Sequence, residues 1–243
     1  MAGTVWITGA GSGIGAAMAR AFAGAGHPVA LTARSQADLE ALAADLPEAA
    51  RVLVLPGDVT DRDGMAAAAR RVADWGGGLH ILCNNAGLNI PRRRWADLDW
   101  DSWDRVFEVN LKGALNVIAA CLPIMRHQRD GLMIHTSSWA GRFHSPGGGV
   151  PYGASKHALS DLSASLNAEE GAHGIRSTAL CPAEVATPLL AKRPGFDTST
   201  MGAMIQPEDM AQTALYVAAM PANVAVHEIV LAPVRRAADA TPT

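Results

Sequence analysis

Tyr152 and Lys156 stand four residues apart in the run Tyr152-Gly153-Ala154-Ser155-Lys156. On a helix, that spacing sets a phenol and an ammonium on one face, within reach of a common ligand. A tyrosine ordinarily titrates at about 10, too high for efficient proton exchange near neutrality, and a neighbouring cation favours the phenolate and lowers that value. A tenfold gain in acidity takes only about 1.36 kcal/mol of differential stabilisation, so a lysine and one further positive group can supply what proton transfer needs. A Tyr and a Lys at this separation are more often a surface coincidence, and the meaning of the pair depends on what surrounds it.

A second set of residues carries a different chemistry. Thr8-Gly9-Ala10-Gly11-Ser12-Gly13-Ile14-Gly15 follows a short apolar run and leads into an Ala-rich segment. Between a strand and a helix, glycines permit a tight turn, a close backbone approach to a pyrophosphate and close helix–strand packing. The helix N-terminus adds unpaired N–H donors and the positive end of a dipole. A glycine motif alone is weak evidence, but its position after a strand and before a helix favours a dinucleotide site over a purely structural turn.

The elements that must hold these residues are legible as an alternation. Apolar runs suited to buried parallel strands lie at 5–8, 29–33, 52–55, 81–83, 133–135, 177–181 and 229–231, with helical segments at 14–25, 36–46, 62–75, 103–125, 152–170 and 207–219. This predicts an α/β fold, a doubly wound parallel sheet of about seven strands with helices on both faces. At 243 residues, and with no repeat or low-complexity linker, one domain over 1–234 is expected, with 235–243 as a disordered tail. Hydrophobic residues make up 49% and charged residues 18%, with a net charge of −3, which argues against a nucleic-acid partner. Cys83, Cys121 and Cys181 are odd in number and lie in apolar runs, so buried free thiols and a reducing, cytoplasmic setting are expected. The chain goes from Met1 directly into a strand-like run, and no segment approaches 18 uninterrupted apolar residues, so neither export nor a membrane span is expected.

The residues together resemble the short-chain dehydrogenase/reductases. Thr8-Gly9-x-x-x-Gly13-x-Gly15 is similar to that family's cofactor-binding turn, Asp58-Val59 to its adenine-contacting pair, Asn84-Asn85-Ala86-Gly87 to its strand-ending motif, and Asn110 in Val109-Asn110-Leu111 to its helix asparagine. His135-Thr136-Ser137-Ser138-Trp139-Ala140-Gly141 resembles its strand-ending serine motif, and Tyr152 with Lys156 its reacting pair. The resemblance implies a Rossmann-type domain. It also implies an NAD(P)-dependent oxidoreductase that passes a hydride between nicotinamide and a secondary alcohol or ketone. Tyr152 would exchange the proton, Lys156 bind the nicotinamide ribose and lower the tyrosine pKa, Ser138 rather than Ser137 hydrogen-bond the substrate oxygen, and Asn110 hold a relay water. Gly9, Gly11, Ser12, Gly13, Ile14, Gly15, Asp58, Val59, Asn85, Ala86, Gly87, Pro182, Val185 and Thr187 would line the cofactor, Thr187 at the amide. Two departures stand out. Ser138 and Tyr152 are one residue further apart than the family's spacing, which the loop 146–149 can absorb, and Ala183 replaces a glycine after Pro182.

Cofactor choice follows from residue chemistry. An NAD-selective site of this architecture places a carboxylate at the end of the second strand, where this chain reads Thr32-Ala33-Arg34-Ser35. Ala33 occupies the acidic position, while Arg34 can fork onto a 2′-phosphate and Ser35 can add a donor, so NADP(H) is expected, with NAD(H) as the alternative. By resemblance, Leu88, Asn89, Trp139, Arg142, His144, Glu184, Leu189 and Leu190 would shape a substrate pocket for a small or medium molecule carrying a polar group. The loop 189–202 would act as a mobile lid, and the assembly would be a homotetramer or homodimer.

Other signals carry less. Arg92-Arg93-Arg94 reads as a solvated loop face, Trp100 and Trp103 as packing for the helix carrying Asn110, and the scattered histidines as no metal site. Ser138 lacks the Gly-x-Ser-x-Gly elbow of a hydrolase. A nucleotide-binding regulator on the same fold would be expected to have lost Tyr152, Lys156 or Ser138, and all three are present.

Overall fold

The computed structural model describes residues 3–234; the expected tail 235–243 lies outside them. Seven parallel strands form one sheet in the order β3-β2-β1-β4-β5-β6-β7. They are β1 Val5–Thr8, β2 Val29–Thr32, β3 Val52–Val54, β4 Ile81–Asn84, β5 Gly131–Thr136, β6 Ile175–Pro182 and β7 Glu228–Leu231. The connecting helices are α1 Gly13–Gly24, α2 Gln36–Asp45, α3 Arg62–Gly76, α4 Trp100–Phe107, α5 Ala114–Gln128, α6 Val150–Glu170, α7 Pro188–Ala191 and α8 Pro207–Ala218.

The apolar runs are continuous because both sheet faces are covered. Along β1, Val5 and Ile7 point into a core with Met18 and Phe22 of α1, Leu39 of α2 and Met210 and Val217 of α8. Trp6 points the other way, into a core with Met65 and Val72 of α3 and Val117, Cys121 and Met125 of α5. The three cysteines are buried and unpaired. The helical stretch Trp100–Gln128 has the length and composition of a membrane span, yet Val106, Val117, Ile118, Cys121 and Met125 on it are buried in the protein core.

That stretch departs from the single helix expected at 103–125. It starts at Trp100, and a π-helical segment, Glu108–Gly113, interrupts it. The extra residue per turn carries Asn110 to the buried side, and such insertions are frequent at functional sites. Trp103 is buried against the rings of Trp95 and Trp100, whereas Trp100 itself is 66% exposed, so only the former packs as expected. The 189–202 segment holds regular structure that its sequence pattern did not suggest. It contains most of α7, capped by Thr187, and most of a 3₁₀ segment, Thr198–Ala203, capped by Asp197.

The strand order reverses between β1 and β4, and open α/β sheets place ligands outside the carboxyl ends of their strands at that switch. Asn85 ties the point together. Its Nδ2 donates to the carbonyls of Thr8 (3.2 Å) and Gly9 (3.3 Å), and its Oδ1 accepts from the Thr136 hydroxyl (3.0 Å).

Candidate active site

The strand ends open into one cleft of about 1150 Å³, larger than the roughly 300 to 1,000 Å³ of a typical small-molecule site. At one end lie Gly9, Gly11, Ser12, Gly13 and Ile14, where α1 begins. Ser12 makes no side-chain cap and the first turn of α1 holds no acid, so its N–H donors and dipole face the cleft uncompensated, as a phosphate requires. Gly15 does not line the cleft. A Cβ there would collide with the Gly9 carbonyl, so its contribution is to let α1 pack against the turn.

Beyond the turn lie Ala33, Arg34, Ser35, Asp58 and Val59. The Ser35 hydroxyl caps α2 by accepting from the Asp38 N–H (3.2 Å), which leaves its own proton to donate. Burial would raise the Asp58 carboxyl, but hydrogen bonds from Thr60 and the charges of Arg105 and Arg34 hold it below its ordinary value. Arg105 faces Asp58 at 3.5 Å. Asp38 and Arg105 also line this end and were not singled out from sequence. Asp38 is brought across from α2 to Gly11, a placement only the tertiary fold reveals.

At the other end the reacting groups meet. Tyr152 and Lys156 share a face of α6 with the ammonium 5.7 Å from the phenol ring centre. Lys156 is buried, donates to the Thr136 carbonyl (2.6 Å), and is lowered by burial to about 8. The Ser138 hydroxyl accepts from the Ala140 N–H (3.1 Å) and lowers the phenol pKa, whereas the Ser137 hydroxyl donates to the Lys156 carbonyl (3.0 Å). Burial raises the Tyr152 phenol above its ordinary value. The Ser138 hydroxyl and the guanidinium groups of Arg193 and Arg93 oppose that rise. Asn110 has its side chain outside the cleft wall. It accepts from the Leu88 N–H (2.8 Å) and donates to the Leu88 carbonyl (2.9 Å) and the Ser155 hydroxyl (3.2 Å), joining the β4 loop to α6.

The longer spacing between Ser138 and Tyr152 is taken up by a turn on Ser145, whose carbonyl accepts from Gly148 (3.0 Å) and Gly149 (3.3 Å). Gly149 has φ +81° and no room for a Cβ beside Arg93, so only glycine fits there. Ala86, Gly87, Leu88, Asn89, Trp139, His144, Pro182, Glu184, Val185, Thr187, Leu189 and Leu190 all line the cleft. Arg142 does not; its Nε pairs with Glu228 of β7 at 2.8 Å. Arg93, expected on a solvated face, is 8% exposed and lines the cleft with Arg193.

A sequence model described as short chain dehydrogenase matches residues 3–196. Sulfoacetaldehyde reductase 2 of Chromohalobacter salexigens is 33% identical over 244 residues, covering 98% of this chain and 96% of that one. Among solved structures, the closed form of serine dehydrogenase complexed with NADP+ matches with a TM-score of 0.88 at 27% identity, over 99% of this chain and 98% of that one. The 3-ketoacyl-(acyl-carrier-protein) reductase of Brucella melitensis complexed with NADH matches with a TM-score of 0.85 at 26% identity, over 94% and 96%. The family match runs from the first strand to Phe196, just past α7, and these relatives share nearly the whole chain: the protein belongs to the short-chain dehydrogenase/reductase family of oxidoreductases.

Proposed function

We propose that the chain is an NADP(H)-dependent oxidoreductase that interconverts a secondary alcohol and a ketone, with Tyr152 as general acid and base. The observation that carries this is the meeting of the Tyr152 phenol, the Ser138 hydroxyl and the buried Lys156 ammonium in the same cleft as the uncapped N-terminus of α1. The glycine turn and α1 would hold the pyrophosphate, Lys156 the nicotinamide ribose, and Val185 and Thr187 the nicotinamide. When bound, the cofactor supplies or accepts the hydride. Ser138 orients the substrate oxygen, and Tyr152 gives that oxygen a proton in reduction and removes it in oxidation. Asn110, with its side chain committed to Leu88 and Ser155, fixes the π-helical segment through which a relay water would reach Lys156.

Tyr152→Phe removes only the proton-carrying hydroxyl. Turnover is expected to fall by at least about 10²-fold with cofactor affinity nearly unchanged, measured by single-turnover kinetics and fluorescence titration; near-normal turnover would overturn the assignment. The NADP(H) choice rests on Arg34 and Ser35 beside Ala33. Asp38 across from Gly11 favours a second reading, an NAD(H) enzyme whose acid comes from α2 instead of the end of β2. Relatives solved with NADP+ and with NADH are consistent with either, and the relative named for sulfoacetaldehyde supports a small, polar carbonyl substrate.

A further inference from the structure

Two arginines converge where the substrate would sit. Arg93 comes from the loop after β4. Its Nη1 donates to the Gly147 carbonyl (3.2 Å), and its Nε is buried with no hydrogen-bond partner among the described residues. Arg193 follows α7, and its guanidinium packs beside the same glycine, where a Cβ would lie 3.4 Å from Nη1. The two are close enough that the charge of Arg193 disfavours the charged form of Arg93, and both act on the Tyr152 phenol.

The nearby acids balance these charges only in part. Glu184 pairs with Arg193, its Oε1 accepting from Nη1 at 3.5 Å. Asp97 acts on Arg93 from a distance, with its Oδ1 taken by the Arg94 backbone N–H (2.6 Å). Holding two cations in a partly dry pocket is costly unless an anion joins them, and guanidinium donors suit a planar or tetrahedral oxyanion. Apolar Leu88, Trp139, Leu189 and Leu190 form much of the surrounding wall, with the polar side chains of Asn89 and His144 beside them.

We propose that the substrate is a short carbonyl or hydroxy compound bearing a carboxylate or sulfonate, seated on Arg93 and Arg193 while its reacting oxygen meets Ser138 and Tyr152. The inference rests on the oxidoreductase reading above and names the substrate class of the same site. The oxyanion passes through the reaction unchanged; the carbonyl carbon takes the hydride, and its oxygen takes the Tyr152 proton. Because Arg93 also receives the start of α6, its carbonyl accepting from the Val150 N–H (2.9 Å), a purely structural role must be separated from recognition.

The test compares matched ketone pairs with NADPH: acetoacetate against methyl acetoacetate, and 2-oxopropanesulfonate against butanone. The charged member of each pair is expected to have a kcat/KM at least about 100-fold higher, a floor below the roughly 10⁴–10⁵ by which a site built to hydrogen-bond a polar group rejects a partner lacking it. Arg93→Gln and Arg193→Gln are each expected to cut that ratio at least tenfold, chiefly through KM, with Arg93→Lys restoring part of it. A structural role would lower both members alike. Arg193, on a part-exposed segment, keeps the test valid if the Arg93 variant does not fold. In parallel, 3-hydroxybutyrate and 2-hydroxypropanesulfonate are titrated calorimetrically into the Tyr152→Phe protein with NADP+, and both arginine variants are expected to weaken the favoured anion at least tenfold. Preference for carboxylate or for sulfonate identifies which oxyanion the seat takes. A charged-to-neutral ratio near one, or a ratio unmoved in both variants, would overturn the proposal. Saturable anion binding without turnover of any carbonyl would overturn the oxidoreductase reading and leave the anion seat standing.

Discussion

At Tyr152 the protein sets burial against nearby charge. Taking the phenol out of water raises its pKa, while Arg93, Arg193 and the Ser138 hydroxyl pull the other way. The same trade appears at the far end of the cleft, where Arg34 and Ser35 stand beside Ala33 and Asp38 lies across Gly11. A 2′-phosphate there would meet one guanidinium and one hydroxyl, but also one carboxylate. The choice between cofactors therefore turns on Arg34 and Asp38. The double variant Ala33→Asp with Arg34→Ile adds a hydroxyl acceptor and removes the phosphate fork. NADP(H) is expected to be preferred in the wild type and NAD(H) in the double variant, a change in the ratio of catalytic efficiencies of at least about 10²-fold, since each charge-assisted contact contributes roughly 1.5–3 kcal/mol. NAD(H) preference in the unmodified chain would identify Asp38 as the ribose reader.

At the scale of elements, what the sequence made legible was whatever depends on local pattern. The seven strands were visible because burial on both faces leaves uninterrupted apolar runs, and the glycine turn, Ser138, Tyr152 and Lys156 were visible because each sits at the end or on one face of a regular element. The features missed depend on tertiary placement. Nothing in Arg92-Arg93-Arg94 says that the middle residue turns inward; the turn at 145–149 decides it by presenting the Gly147 carbonyl to Arg93. Arg142 stands one turn past Ser138, yet β7 takes its charge through Glu228. The π-helical segment at Asn110 changes no residue type and so leaves no periodic trace. The segment carrying α7 and Arg193 has a short helix and a 3₁₀ turn, with a part-exposed stretch between them. Because it delivers Leu189, Leu190 and Arg193 to the cleft, it is expected to close over bound ligands. Limited proteolysis should cut between residues 192 and 197 in the free protein and slow at least severalfold with NADPH and substrate analogue together; equal cleavage in both would exclude closure.

For the whole molecule, the site imposes a cost that a stability measurement can read. His135 on β5 is completely buried, neither ring nitrogen has a hydrogen-bond partner among the described residues, and burial, assisted by the Lys156 charge, lowers its pKa to about 3. In the unfolded chain a histidine titrates at about 6.5. Between those values the unfolded state binds a proton the folded state refuses, so stability is full above pH 6.5 and falls as the pH drops toward 3. The difference amounts to about 2 kcal/mol by pH 5, a large share of the roughly 5–15 kcal/mol that holds a domain folded. Replacing the ring with an apolar side chain removes the proton acceptor without stranding a partner, since it has none to strand. His135→Leu is therefore expected to match the wild type at pH 7.5 to within its packing change, yet to lose about 2 kcal/mol less stability on going to pH 5. Urea denaturation at the two pH values and one fixed protein concentration measures this, because the carboxylates that also titrate on acidification, Asp58 and Glu170 among them, are common to both proteins and cancel in the difference. Parallel losses in the two proteins would mean that His135 takes up its proton in the folded state and that the buried strand end beside Lys156 admits a charge.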